Sequence, residues 1–144
     1  MTGLDREVVR RKLAHLAEAL EALRPLARLS FAEYRDRLYE RKAAERLLQV
    51  AIEAAVDVST HLVVGLGRTA PVDAYGSVVA LGTAGVLERD LAARLAPATG
   101  LPNRLVHEYN GLDDRKVHGA LGEALDGFAA FVAQVERFLE REAP

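Results

Sequence analysis

The stretch ERLLQVAIEAAVDVSTHLV, residues 45–63, decides the fold of this 144-residue chain. It is mostly Leu, Val, Ile and Ala, and a polar residue interrupts it at every fourth position, at Gln49, Glu53, Asp57 and His61. A spacing of four places side chains on one face of an α-helix, whereas a strand repeats every two residues. The pattern therefore predicts a helix that is apolar around most of its circumference and too long for a simple surface helix.

The boundaries of this helix are marked by capping residues. Ser30 and Glu33 form the S-x-x-E pattern of a capping box, which predicts a helix start at residue 31. We expect the helix to cover residues 31–64, with a break near Glu40. Three helix-ending residues follow it, namely Gly65, Gly67 and Pro71.

Helical periodicity also accounts for the rest of the chain. Apolar residues spaced by three and four predict a helix over residues 5–24, which ends at Pro25. A longer apolar stripe, opened by Asp113 or Asp114 as the cap, predicts a last helix over residues 115–141. Shorter helices are expected at residues 74–85, 87–96 and 102–109. The fold class is therefore all-α: one domain over residues 1–144, an antiparallel bundle of about five to six helices.

Composition excludes several classes of function. Half of the residues are hydrophobic, only 6% are aromatic, and no cysteine is present, which rules out disulfides and thiolate metal sites. The net charge of −2 argues against extensive phosphate neutralisation, so any contact with RNA should be local. Charged residues interrupt every long apolar run. We therefore expect no signal peptide, no membrane span and a cytoplasmic location.

The polar row of the long helix has three interpretations. It is a solvated helix face, a wall facing a functional cleft, or a metal site. A carboxylate-bridged metal site needs Glu-x-x-His pairs on two helices, and the sequence contains none, so no metal is expected. The cleft interpretation makes Glu53, Asp57 and His61 candidate cleft-lining residues. His15 is expected at the surface.

A second stretch, GLPNRLVHEYNGLDDRKVH at residues 100–118, crowds hydrogen-bonding groups into little more than one helical turn. Asn103 and Arg104 precede His107 by four and three residues, and Tyr109 follows it by two. An acid/base group, an amide and a guanidinium at the start of a helix suggest phosphate chemistry. The alternative is an ordinary helical histidine. His118, in the next helix, is either structural or lines the same cleft.

The block NRLVHEY with its following Asn-Gly-Leu-Asp turn resembles HepT-like toxins of the HEPN group (higher eukaryotes and prokaryotes nucleotide-binding). Residues 45–63 and the block GVLERDLAARLAPATGLPNRLVHEY at residues 85–109 also follow the pattern of that family. The resemblance covers about residues 5–140. It implies a HEPN-like helical homodimer with a cleft at the two-fold axis, and a metal-independent endoribonuclease that needs no cofactor.

The resemblance also implies residue roles. His107 of one subunit would remove the proton of the RNA 2′-hydroxyl, and His107 of the other would protonate the leaving 5′-oxygen. Asn103 and Arg104 would complete the catalytic set, with the arginine stabilising charge on phosphorus. This transesterification leaves a 2′,3′-cyclic phosphate and a 5′-hydroxyl.

HepT-like toxins belong to type VII-like toxin–antitoxin pairs, so the resemblance implies an MntA-like nucleotidyltransferase antitoxin as partner. That enzyme would transfer AMP to Tyr109, and the added phosphate would repel RNA from the neighbouring site. RNA is the implied substrate, and neither DNA nor a membrane is expected as a partner.

The chain departs from the family motif at one position. The motif is an arginine, four to six residues, then His-x-Tyr, and four intervening residues before His107 lead back to Pro102. Proline carries no charge and no donor. Two readings follow from this difference. Either Arg104 supplies the positive charge in place of the motif arginine, or the protein is a weakened or inactive HEPN dimer that serves as partner and substrate of the nucleotidyltransferase. A third reading is that arginine was exchanged for proline because the intact toxin kills its host.

Overall fold

A computed structural model describes residues 4–102 and 114–142 of the chain. Within these ranges all regular secondary structure is helical, which confirms the predicted all-α class. A 3₁₀ helix, Ala96–Gly100, follows the fifth α-helix, and residues 101 and 102 are helical as well. The α-helices are α1 (Arg6–Ala27), α2 (Phe31–Asp36), α3 (Leu38–Gly65), α4 (Ala74–Thr83), α5 (Arg89–Leu95) and α6 (Asp114–Arg141).

The long helices α1, α3 and α6 form the bundle, with α1 packed against both others. His118 at the start of α6 contacts Leu29, just past the end of α1, whereas Glu140 near the end of α6 lies beside Arg10. Helices α1 and α6 therefore run antiparallel. The shorter helices α4 and α5 pack against one another, α4 also packs on α3, and α5 packs on α6.

The buried hydrophobic side chains of the described residues form one contiguous cluster. Five apolar positions make the predicted stripe of α1, and all of them are buried. On α6, the predicted stripe is buried except at Val132, which is half-buried, and Phe131 and Phe138 join the core beside it. The stripe of α1 consists of Val9, Leu13, Leu16, Leu20 and Leu23.

The break in the second predicted helix lies at Arg37, three residues before the expected position at Glu40. Arg37 adopts an extended conformation (φ −110°, ψ 93°) that ends α2 and begins α3. The predicted capping box is confirmed: Glu33 N–H donates to Ser30 Oγ at 3.1 Å, and Ser30 N–H donates to Glu33 Oε1 at 3.0 Å. Turning α2 away from the axis of α3 allows Tyr34 to be buried against α6.

Two predicted helix ends were also misplaced. The first helix continues past Pro25 to Ala27. A proline this close to the end of a helix removes only one backbone donor, and the Pro25 ring is exposed to solvent, so the helix can continue for two more residues. The fourth helix ends at Thr83 and not at residue 85, because Gly85 takes a positive φ of 80° and the next two N–H groups turn back to the carbonyl of Leu81.

Helix α3 is long and apolar enough to cross a membrane, judged by length and composition alone. Half of that apolar window is buried inside the protein, where α3 packs against α1, α4 and α6. Such burial is typical of the central helix of a folded helical domain.

Candidate functional site

Four predicted site residues, Asn103, Arg104, His107 and Tyr109, lie outside the described residues. The structure does define both flanks of the segment that carries them. Pro102 is the last described residue before this segment, and Asp114 is the first residue after it. The surroundings of these two residues therefore form the described part of the candidate site.

The upstream flank is a tight helical connection. Helix α5 passes directly into the 3₁₀ helix Ala96–Gly100, with Pro97 in its first turn. Thr99 Oγ1 donates to the carbonyl of Ala96 at 2.7 Å, which closes this short turn. This connection leads to Pro102, which is helical and half-buried. A proline ring cannot donate a hydrogen bond to a phosphate.

A cavity of about 400 Å³ lies beside the upstream flank, between α3, α5 and α6. Its walls are mainly apolar and include Leu101, the neighbour of Pro102. Three charged side chains, Arg94, Glu123 and Asp126, stand among the lining residues.

The downstream flank is held by His118 in the first turns of α6. Its Nε2 lies 2.6 Å from the carbonyl oxygen of Leu29, and because a carbonyl only accepts, Nε2–H is the donor. The imidazole also contacts the rings of Phe31 and Tyr34, with centroids 5.8 and 5.2 Å away. These contacts join α6 to the α1–α2 connection and favour the structural interpretation of His118.

Tyr34 is a buried residue of this flank that sequence reasoning missed. Its side chain is fully buried, and its hydroxyl has no hydrogen-bond partner among the described residues. Burial raises the pKa of Tyr34 to about 12, with further upward contributions from the charges of Glu45 and Asp114. The phenol therefore stays neutral and serves as packing, not as an acid or base near pH 7.

Arg41 is the second residue that sequence reasoning missed. Its Nη1 donates to the carbonyl of Arg35 at the end of α2, and its Nε lies 3.9 Å from Asp114 Oδ2. A single half-buried guanidinium thus links α2, α3 and the first residue of α6. No local pattern marks such a residue, because its partners are distant in sequence or belong to the backbone.

In the polar row of α3, Asp57 is the residue that contacts α1 and lines a groove between the two helices. Gln49 donates to Glu53 at 3.2 Å, and Lys12 Nζ lies 2.6 Å from Asp57 Oδ2. His61 is half-buried, and its Nε2 is enclosed without a hydrogen-bond partner among the described residues.

A groove of about 400 Å³ runs beside this row. It is lined by Arg11, Lys12 and His15 of α1 together with Asp57 of α3, and His15 is exposed as predicted. The row is thus partly engaged by α1. That Glu53, Asp57 and His61 line a catalytic cleft stays a prediction. Among residues 4–102 and 114–142, no group of three or more His, Asp or Glu side chains is arranged to hold a metal ion.

Comparisons with known proteins give consistent results. The family model described as Ribonuclease HepT-like matches residues 16–135. The tRNA nuclease HepT of Aphanizomenon flos-aquae is 30% identical over 139 residues, which cover 96% of this chain and 95% of that protein.

Solved structures show the same fold. A tri-AMPylated HEPN toxin of Shewanella oneidensis, in complex with its MNT antitoxin, matches with a TM-score of 0.81 at 18% identity, over 90% of this chain and 97% of that one. The cytosolic protein YutE of Bacillus subtilis, of unknown function, matches with a TM-score of 0.84 at 16% identity, over 99% and 95% of the two chains. Family match and identity agree: the chain belongs to the HepT-like family.

Proposed function

We propose that this protein is the toxin of a toxin–antitoxin pair and acts in the cytoplasm as a metal-independent endoribonuclease, with residues 1–144 forming one HEPN-like domain. The observation that carries the proposal is the 30% identity with a tRNA nuclease along nearly the entire length of both chains. The family match over residues 16–135 includes the NRLVHEY block, so the similarity extends over the residues that would do the chemistry.

The reaction that we propose is transesterification within RNA. His107 of one subunit accepts the 2′-hydroxyl proton, the 2′-oxygen attacks phosphorus, and the bond to the 5′-oxygen breaks. His107 of the second subunit donates a proton to that leaving oxygen, so a two-fold homodimer supplies both base and acid. Asn103 and Arg104 stabilise the charge on the phosphoryl oxygens.

The partner that we propose is an MntA-like nucleotidyltransferase. A HEPN toxin of the same fold is AMPylated and bound to an MNT antitoxin, which supports the same arrangement here. AMP on Tyr109, two residues from His107, would place a negative phosphate where the RNA phosphate must bind. Like charges repel, so the modification would suppress cleavage.

A second candidate function follows from Pro102. The ring at this position has no donor for a phosphate, so the described flank of the site lacks the guanidinium that the family motif places there. The protein would then be an inactive HEPN dimer that binds the nucleotidyltransferase and accepts AMP. Cleavage of RNA by the chain with Pro102 in place would favour the active ribonuclease, with Arg104 as the cation, over the inactive dimer.

The test is RNA cleavage without divalent metal. Purified protein is incubated with tRNA in EDTA, alone and after treatment with the nucleotidyltransferase and ATP. The proposal expects cleavage that His107→Ala abolishes and AMPylation suppresses. Cleavage that persists in His107→Ala would refute the assigned chemistry. Absence of cleavage with intact partner binding would favour the inactive dimer.

A further inference from the structure

The start of α3 presents an aromatic ring to solvent between cationic side chains. Tyr39 is 84% exposed, the most exposed of the large aromatic side chains among the described residues. Lys42 and Arg46 follow it by three and seven residues, so all three share one face of the helix. Both cations are exposed as well. We refer to Tyr39, Lys42 and Arg46 as the Tyr39 stripe.

The part of the chain that contains this stripe carries a net positive charge. Residues 28–46 contain six Arg and Lys against four Asp and Glu, a net charge of +2 in a chain whose total is −2. The start of α6 adds exposed Arg115 and Lys116 next to the half-buried carboxylate of Asp114. The Arg115 guanidinium stacks over the Phe31 ring at 4.2 Å, and Arg41 lies 3.9 Å from Asp114. These contacts bring the basic residues of α2, α3 and α6 to one end of the bundle.

The cations of the stripe are available to a ligand. Lys42 has one ion pair, with Glu45 at 3.4 Å, and its side chain is 65% exposed. The Glu45 side chain is only 14% exposed, whereas Lys42 is open to solvent and can contact a ligand beside this pair. Arg46 makes no salt bridge within the part of the chain that the structure describes. The Tyr39 ring contributes nothing to the core, so packing does not explain an aromatic residue there.

We propose that the Tyr39 stripe docks RNA: an unpaired base stacks on the Tyr39 ring while Lys42 and Arg46 bind the flanking phosphates. Proteins that hold single-stranded RNA combine an aromatic platform with neighbouring cations in this way. A polyanion also complements the net positive charge of residues 28–46. The inference rests on the proposed ribonuclease function and assigns a substrate surface outside the motif.

The position of the stripe suits this role. Arg41 ties α3 to Asp114, the residue at which the described chain resumes after the segment that carries the motif. The stripe therefore lies in the same end of the fold as the downstream flank of the candidate site. Tyr39 and Arg41 are two residues apart and point from different sides of α3, so RNA on the stripe would be held at this end of the bundle and would add affinity without taking part in the chemistry.

The test measures RNA binding separately from cleavage. A fluorescein-labelled single-stranded RNA of 12 nucleotides is titrated with the His107→Ala protein, and binding is followed by fluorescence anisotropy. This length accommodates about one or two single-strand binding sites. Adding Tyr39→Ala should weaken binding about tenfold. Tyr39→Phe keeps the ring and should bind like the parent. Tyr75→Ala is the matched control, since Tyr75 is 51% exposed and α4 begins beyond the opposite end of α3.

The cations are tested through the salt dependence of the same titration. Arg46→Gln should reduce the slope of log K against log salt by about 0.7, as expected for one lost phosphate contact on a single strand. Arg137→Gln, an exposed arginine near the far end of α6, should leave the slope unchanged. Thermal unfolding by circular dichroism checks that each variant folds.

The outcomes separate this proposal from the ribonuclease assignment. If Tyr39→Ala binds RNA like the parent, or if it weakens only binding to the nucleotidyltransferase, RNA docking at the stripe is refuted whatever the nuclease result. If the protein with intact His107 does not cleave but binding still depends on Tyr39 and Arg46, docking is upheld and only the nuclease assignment fails.

Discussion

Lys12 Nζ and Asp57 Oδ2 lie 2.6 Å apart, although 45 positions separate them in the sequence. The contact links α1 to the polar row of α3. It gives Asp57 a structural partner, so a carboxylate that the sequence offered as a candidate cleft-lining residue joins two helices of the bundle.

The Lys12–Asp57 pair should contribute little to stability. Its side chains are 29% and 58% exposed, and exposed pairs are worth about 0.2–1 kcal/mol. A double-mutant cycle with Lys12→Gln and Asp57→Asn, followed by urea unfolding, should give a coupling energy in that range, and 1 M salt should reduce it further. A coupling well above about 2 kcal/mol would mean that the pair is far better shielded from water than the structure indicates.

The close approach of α4 to α5 depends on Gly82. A Cβ at this position would lie 2.9 Å from Ala92 Cβ, an atom that cannot rotate away. We expect Gly82→Ala to lower the free energy of unfolding by about 1–3 kcal/mol, as overpacking does. Gly119→Ala on α6 is the control, because nothing lies within 4 Å of its added Cβ. It should raise stability by about 0.5–1 kcal/mol, and a loss there would contradict the packing of α6.

Tyr34 should make stability depend on pH under alkaline conditions. Its pKa is about 12 in the folded protein against an ordinary value of 10.0, so the unfolded chain loses this proton first. The stabilisation is complete below pH 10 and is lost as pH rises from 10 towards 12. Tyr34→Phe should remove this part of the decline, as followed by urea unfolding at pH 7 to 11.

At pH 7, Tyr34→Phe should not reduce stability, because the buried hydroxyl has no partner among the described residues. A parallel decline of variant and parent above pH 10 would show that Tyr34 is not the group responsible.

Pro102 should limit catalysis. We expect Pro102→Arg to raise the rate of tRNA cleavage in EDTA at least tenfold. A donor aimed at the charge that develops in a transition state lowers the activation free energy by about 3–4 kcal/mol in comparable sites. Pro102→Ala is the control for the loss of the ring alone and should leave the rate near that of the parent. Equal rates for the arginine and alanine variants would indicate that Arg104 already supplies the cation.

Much of the fold follows from local patterns. The stripe of α1 and the Ser30–Glu33 capping box could be predicted because three- and four-residue spacings and capping chemistry are local properties. A break in the second helix could also be predicted, but its position at Arg37 could not, because helix-compatible residues lie on both sides of it and Tyr34 is buried against His118, a contact that sequence spacing does not show.

The candidate site was less predictable from sequence. Spacing placed Glu53, Asp57 and His61 on one helix face but gave no sign of the helix opposite, since the partner Lys12 lies far away in the chain. A signal for the Tyr39 stripe does exist in RDRLYERKAAER, residues 35–46, where an aromatic residue stands among cations. Its exposure is a tertiary property, and only the structure distinguishes this tyrosine from a core residue such as Tyr34.

The central claim is that paired His107 imidazoles cleave RNA by attack of the 2′-hydroxyl, and the 3′ ends of the products test it most directly. Pro102→Arg protein is incubated with tRNA in EDTA, with Pro102→Arg/His107→Ala as control, and the fragments are analysed by mass spectrometry. The account predicts 2′,3′-cyclic phosphates and 5′-hydroxyls that disappear with His107. Fragments that end in 3′-hydroxyls and 5′-phosphates, or identical cyclic ends in the control, would contradict it.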